Sequence, residues 1–313
     1  MQTKVVVGID TSNYTTSCAV CSMDGVILEN YRELLPVKDG ERGLRQSDAV
    51  FAHVKNFQII ASRIREKHAD YEIAAIGYSA YPRDAEGSYM PCFLVGQAVS
   101  EMISALYSIP SFRFSHQSGH VQASLYSAGL EVNEPFVAFH VSGGTTEIVL
   151  ATPSCDGFNV ELIGGSADLH AGQAIDRIGV KMGLPFPCGR EIERLAMKND
   201  KKIPHFKFSV NDLSCNLSGL ENLSLKIYNE TEDPCLTSAF VLQFVAKTLE
   251  KLTENIRSKY GNIKVVYAGG VMSNKIIQAH LGACFNDVYF AEPEYSADNA
   301  CGTALLTYKK IKK

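Results

Sequence analysis

The sequence lacks an excess of positive charge, a long apolar run, a secretory leader and a zinc-peptidase signature, and each absence removes a class of protein. With 30 Lys and Arg against 34 Asp and Glu, the net charge is -4. No global field therefore draws nucleic acid to the chain, because nonspecific affinity comes largely from neutralised phosphates. A nucleic-acid substrate would need a local basic patch or a partner subunit. No stretch reaches the roughly 20 uninterrupted apolar residues of a membrane helix. MQTKVVVGID runs from one lysine straight into an apolar strand, without the h-region or small-residue cleavage site of a signal peptide. These patterns predict a cytoplasmic chain with no membrane role. H-E-x-x-H does not occur, so a metallopeptidase has no support, and Gln117 is no general base. Cys18 and Cys21 form a C-x-x-C with no second pair. The nine cysteines, odd in number, read as mostly free, buried thiols in a reducing compartment.

A linker rich in Pro, Gly or Ser is missing too, although 313 residues suit two lobes of roughly 150 residues each. What the chain has instead is a repeat. KVVVGID, SCAVCSM and GVILENYREL read as three strands joined by TSNYTT and DG. A helical pattern follows, with Val50, Val54, Phe57, Ile60, Ala61 and Ile64 on its expected inner face. IAAIGYSAYP is a further strand and FLVGQAVSEMISALYSI a further helix. EPFVAFHVSGGTTEIVLATPS and FNVELIGGSA repeat the opening pattern. The expected fold is therefore α/β and duplicated, with a first lobe over residues 1–125 and a second over 126–313. NDLSCNLSGLENLSLKIYNETEDP reads as a helical insertion or lid within the second lobe.

Five features carry chemistry. His116 and His120 in FRFSHQSGH sit four apart at a helix start, so two imidazoles share a face and can hold one ion, although a cap or surface role explains a lone pair equally well. GIDTSNYTTS and HVSGGTTEI place small residues and hydroxyls at two equivalent hairpin tips, where backbone N–H groups can approach phosphate. AGGVMSN follows a strand and precedes a helix, which suits an adenosine against its glycines and a polar contact from Asn274, or simply a tight turn. Asp176 in GQAIDRIG can bind a ribose or a metal, or pair with Arg177 or Lys181. Asp298 in ADNACGTALL, placed in the first turn of the last helix, suits either a dipole-favoured cap or a third metal ligand.

In this order, GIDTSNYTT, SHQSGH, SGGTTEI, ADLHAGQAIDRIGVKMGLPFPCG, AGGVMSN and SADNACG resemble the motifs of the TsaD-type tRNA threonylcarbamoyladenosine transferases. These were formerly called glycoproteases or peptidase M22 and have the ASKHA, actin-like ATPase fold. The resemblance spans nearly the whole chain. It implies two lobes with mixed sheets around a nucleotide cleft, with the C-terminal helix returning to the first lobe. It implies one divalent ion, iron or zinc, on His116, His120 and Asp298. Contacts to an adenine nucleotide or acyl-adenylate would come from His140, Val141, Ser142, Gly143, Gly144, Asp176, Gly189 and Asn274. Asp10, in the first loop, is the candidate catalytic carboxylate.

The implied reaction moves a threonylcarbamoyl group from threonylcarbamoyl-AMP to the exocyclic amine of an adenosine beside the tRNA anticodon. tRNA, a TsaB-like ASKHA paralogue and an ATPase are the implied partners. The chain departs from the family pattern at Asp10, Tyr14, Thr15, Thr145, Gln173, Cys188 and Glu221, and SVNDLSCNL looks inserted. The alternative is a nucleotide- and metal-binding paralogue, non-catalytic or with an altered substrate, that pairs with a true transferase. For tRNA contact the expected patch is Lys198, Lys201, Lys202, His205 and Lys207, a run that as readily forms an ordinary solvated loop.

Overall fold

The computed structural model describes residues 2–12, 14–36, 44–67, 70–155, 157–296 and 299–312. In chain order the elements begin β1 (Thr3–Thr11), β2 (Thr15–Ser22), β3 (Ile27–Leu34), α1 (Gln46–Lys67), β4 (Tyr71–Tyr81), α2 (Phe93–Tyr107), β5 (Ser111–Ser115) and α3 (His116–Ser127). They continue with β6 (Phe136–Val141), β7 (Thr146–Ser154), β8 (Gly157–Ser166), α4 (Ala171–Lys181), α5 (Gly189–Ala196), β9 (Ser209–Asn211), β10 (Ser214–Asn216), α6 (Ser218–Thr231) and α7 (Pro234–Tyr260). The last are β11 (Val265–Ala268), a 3-10 turn at Gly270–Ser273, α8 (Lys275–Cys284), β12 (Val288–Phe290), α9 (Pro293–Ser296) and α10 (Cys301–Lys312). The chain divides into two compact units, Met1–Tyr126 with Thr152–Val160 and Ala297–Lys313, and Ser127–Ala151 with Glu161–Ser296.

In the first unit the strand order is β3-β2-β1-β4-β5, with β1 antiparallel to β2 and parallel to β4. Val5, Val6 and Val7 are all buried, as an uninterrupted apolar run requires of a central strand covered on both faces. α10 packs on β1, β2 and β4. Gly8 makes that approach possible, since a Cβ there would lie 2.3 Å from the Ala304 nitrogen. The inner face of α1 differs from the expected one. Ala49, Ala52, His53, Asn56 and Ile60 are buried, whereas Phe51 and Val54 are exposed. The reason is polar: the hydroxyl of Thr16 lies 2.8 Å from His53 Nδ1 and accepts from Asn56 Nδ2 at 3.0 Å, so two hydrophilic side chains occupy the core face.

In the second unit the order is β12-β11-β6-β7-β8-β10-β9. Its β8-β7-β6-β11-β12 portion repeats the order of the first sheet. β6 is antiparallel to β7 and parallel to β11, and β11 is parallel to β12, matching the corresponding pairs of the first unit. The segment expected to be a helical insertion is part sheet. β9 and β10 form a hairpin that extends the sheet through parallel pairing of β10 with β8, because Leu213 and Cys215 find burial there. α6 follows it. α7 runs through the core of this unit, and its ends are well specified. Asp233 accepts from the Cys235 and Leu236 nitrogens, Pro234 stands at the first helical position, and Gly261 follows the last turn, each a preferred residue at its place.

Candidate functional site

The first unit assembles a carboxylate–imidazole–imidazole relay from three elements. Asp10 lies near the end of β1 and is buried. Its Oδ1 accepts from the Ser12 nitrogen at 3.0 Å, and its Oδ2 accepts from the hydroxyl of Ser79 on β4 and stands 2.7 Å from His116 Nδ1. α3 begins at His116 because Ser115 caps it, its Oγ accepting from the Ser118 nitrogen at 3.0 Å. One turn later His120 brings its Nε2 to 3.0 Å from that of His116. A carboxylate on Nδ1 fixes the His116 tautomer and leaves its Nε2 lone pair for a cation. Two donors at this separation need to open by only a few tenths of an ångström to share an ion at bond lengths near 2 Å.

The structure thus brings His116, His120 and Asp10 together, and the position of Asp10 beneath the ring is that of a positioning residue. Asp298 lies outside the described residues. α10 starts at Cys301, later than the pattern places it, with Asn299 as its cap accepting from the Cys301 nitrogen at 2.9 Å. Ser79 and Thr303, whose hydroxyls stand 3.3 Å apart, complete the surroundings of Asp10. Sequence reading passed over them, although Ser79 is a buried hydroxyl near the end of β4.

In the second unit β6 carries His140 and Val141 into the turn Ser142–Thr145. The Ser142 nitrogen donates to the Thr145 carbonyl at 2.7 Å, and the Ser142 carbonyl accepts from the Gly172 nitrogen at 3.1 Å. α4 starts directly on this turn. A Cβ on Gly172 would meet Gly143 at 2.7 Å, and the Thr146 hydroxyl accepts from the Ala171 nitrogen at 2.9 Å. An open groove of about 720 Å³ is lined by Gly143, Gly144, Gln173, Asp176, Arg177, Val180, Lys181, Phe186 and Glu221. Among the described residues nothing lies within 4 Å of a Cβ built on Gly143, Gly144 or Gly189, so a ligand can approach backbone at each.

Asp176 pairs with neither Arg177 nor Lys181; its Oδ1 accepts from the Cys188 nitrogen at 2.7 Å. Arg177 and Lys181 both bind Glu221, at 3.4 and 2.7 Å, and Lys181 in particular draws the Glu221 carboxyl below its usual range. Cys188 is accommodated because its side chain fills the space that a Cβ on Gly179 would take. Asn274 caps α8, its Oδ1 accepting from the Ile276 and Ile277 nitrogens at 3.1 Å. The turn before it passes Val141 closely, since Gly269 has φ 102° and a Cβ there would collide with the Val141 carbonyl. Asp168 is a further node that sequence reading passed over. It accepts from the Leu169, Leu217 and Ser218 nitrogens at 2.6, 2.7 and 3.1 Å. Burial opposes its charge, but the hydrogen bond from the Ser218 side chain, followed by those from the three nitrogens, prevails and pulls its carboxyl down to about 2. Of the expected lysine patch, Lys201 is held by Asp233 at 2.6 Å.

Solved structures with this architecture define its class. Component A of the Acidaminococcus fermentans (R)-2-hydroxyglutaryl-CoA dehydratase aligns with a TM-score of 0.58 at 14% identity over 99% of both chains. A ROK hexokinase from Thermus thermophilus aligns with a TM-score of 0.54 at 15% identity, covering 98% of this chain and 99% of that one. The fold is ASKHA, the actin-like ATPase α/β class with two mixed sheets. Within that class the chain belongs to the TsaD family, tRNA N6-adenosine threonylcarbamoyltransferase, whose pattern matches residues 38–305. It is 28% identical to the enzyme of that name from Streptococcus pneumoniae strain Taiwan19F-14, over 99% of this chain and 93% of that one. The relative of the same name from Streptococcus suis strain 05ZYH33 is 26% identical over 100% of this chain and 94% of its own length.

Proposed function

We propose that this chain transfers a threonylcarbamoyl group from threonylcarbamoyl-AMP to the exocyclic amine of a tRNA adenosine, with the help of a divalent ion, iron or zinc, held by His116, His120 and Asp298, the last of which lies outside the described residues. The observation that carries this reading is the Asp10–His116–His120 relay, whose donors fit such an ion. The ion would polarise the carbamoyl carbonyl when bound. The adenosine amine attacks that carbon and loses a proton, the new N–C bond forms, and the bond to the AMP oxygen breaks with its electron pair leaving on AMP. Asp10 keeps the His116 ring in place and its proton on Nδ1. The bare backbone at Gly143 and Gly144 serves the adenylate phosphate, as N–H-lined turns do, with Asp176, Gly189 and the Asn274 turn serving the nucleoside. A TsaB-like paralogue and an ATPase are the partners this reading brings with it.

The test is a transfer assay with threonylcarbamoyl-AMP and tRNA, run with candidate partners and alongside metal analysis. His120→Ala is expected to lose both bound metal and transfer. Asp10→Asn, which keeps the shape of the side chain, is expected to lower metal affinity about 10- to 100-fold, the usual effect of removing a carboxylate behind a ligating histidine. Full metal occupancy and full transfer in His120→Ala would remove the histidine pair from the mechanism. Intact metal and nucleotide binding with no transfer under any partner combination would favour the alternative instead, a paralogue that is non-catalytic or acts on an altered substrate.

A further inference from the structure

A second group of metal-type donors lies on the second unit, on α7 and α8. His280 and Cys284 are one turn apart on α8, and Glu250 faces them from α7. Their donor atoms all lie within 4.8 Å of one another. His280 Nε2 stands 2.5 Å from Glu250 Oε2 and 4.0 Å from Cys284 Sγ. Glu250 and His280 are partly buried and Cys284 is exposed, so the group has an open side through which an ion can enter.

We propose that Glu250, His280 and Cys284 form a binding site for a zinc-class divalent cation that fastens α8 to α7. Around a four-coordinate zinc, bonds near 2.1 Å to nitrogen and oxygen and near 2.3 Å to sulfur set the donors roughly 3.3–3.6 Å apart. The present separations, at most 4.8 Å, reach those values by shifts of up to about 1.2 Å, within the range of side-chain adjustment. A thiolate, an imidazole and a carboxylate together select zinc or cobalt over magnesium or calcium, which take oxygen donors. Water takes the fourth position.

The electrostatics favour a cation here on two further counts. Cys284 closes the last turn of α8, where the carbonyl end of the helix carries partial negative charge. Glu250 already attracts a cation, the Lys247 ammonium at 2.8 Å, which is partly exposed and can swing aside. A thiol binds zinc as the thiolate, so binding at Cys284 would release a proton. α8 is capped by Asn274, the last residue of the glycine turn after β11, so fixing this helix also steadies that turn.

The experiment titrates metal-stripped full-length protein with cobalt(II) as the spectroscopic stand-in for zinc. Wild type is expected to show a sulfur-to-cobalt charge-transfer band that is lost in Cys284→Ser and weakened in His280→Gln. The band is expected to persist in the His116→Ala/His120→Ala double variant, which separates this cluster from the histidine pair of the first unit. In that double variant zinc is also expected to raise the melting temperature, through preferential binding to the folded state, and adding Cys284→Ser is expected to abolish the rise. Cys284 is exposed, so its serine variant folds, and far-UV circular dichroism verifies this. No band in wild type, a band that survives Cys284→Ser, or binding with no rise in melting temperature would each overturn the proposal.

Discussion

Burial holds His53 neutral. Its ring is fully enclosed beneath β2, with Nδ1 on the Thr16 hydroxyl and no partner for Nε2 among the described residues. Desolvation lowers its pKa from 6.5 to about 4, against smaller raising effects from Asp10 and the Ser12 backbone. A base with a lowered folded pKa contributes stability above its unfolded value, and that contribution is lost as pH falls. The unfolded chain takes up a proton from about pH 6.5 downward while the folded chain resists until about 4. Comparing urea denaturation of wild type and His53→Gln between pH 7.5 and 4 isolates the effect. The wild type is expected to lose on the order of 1–3 kcal/mol more than the variant across this window, and parallel curves would show that His53 titrates as an exposed group. Cys18 and Cys21 obey the same physics. Three apart on β2, they point to opposite faces, and desolvation pushes each thiol up to about 12, so the C-x-x-C is core and neither redox nor metal chemistry.

Glycines at two element junctions separate packing from binding. Gly302 at the start of α10 lies against Gly119 of α3, where a Cβ would collide with the Gly119 carbonyl, while Gly144 faces open space. Gly302→Val is expected to destabilise the fold by about 1–3 kcal/mol or more through overpacking. Gly144→Val is expected to leave the melting temperature near wild type and to weaken adenine-nucleotide binding at least about tenfold, or 1.4 kcal/mol, by keeping the ligand off the backbone. Unchanged nucleotide affinity by calorimetry in Gly144→Val would move the nucleotide away from this turn.

The strands of both repeats, the start of α3 at the histidines and the turn before α8 were legible, because apolar alternation, a capping serine and paired glycines are local signals. The buried face of α1 was not, since His53 and Asn56 owe their burial to one hydroxyl, Thr16, on a distant strand. β9 and β10 were hidden for a similar reason. Strands of 3 residues carry almost no periodicity, and β10 is defined by its pairing with β8. Asp10 was expected as a catalytic carboxylate from its loop alone, whereas its placement beside His116 Nδ1 depends on β1, β4 and α3 meeting, which no single segment encodes.

At the scale of the whole molecule, a transferase acting on tRNA must hold a polyanion while carrying a net charge of -4. Any grip must therefore be local. The segment after α5 supplies exposed Lys198, Lys202 and Lys207, but Lys201 is already committed. Its ammonium binds Asp233, the carboxylate that caps α7, so replacing it would disturb a helix as well as a charge. The informative variant is Lys198→Glu with Lys202→Glu, which leaves that cap intact. If these lysines contact phosphates, the double variant is expected to bind tRNA more weakly, and the slope of log affinity against log salt should fall by about 1 for each contact removed. Nucleotide affinity and melting temperature should stay at wild-type values, since neither side chain touches the groove at Gly143 and Gly144. Measured at two salt concentrations, equal tRNA binding by wild type and double variant would show that this segment is ordinary solvated surface. The acidic chain would then depend on a partner subunit for its hold on tRNA, and the partner's own basic surface would become the place to look.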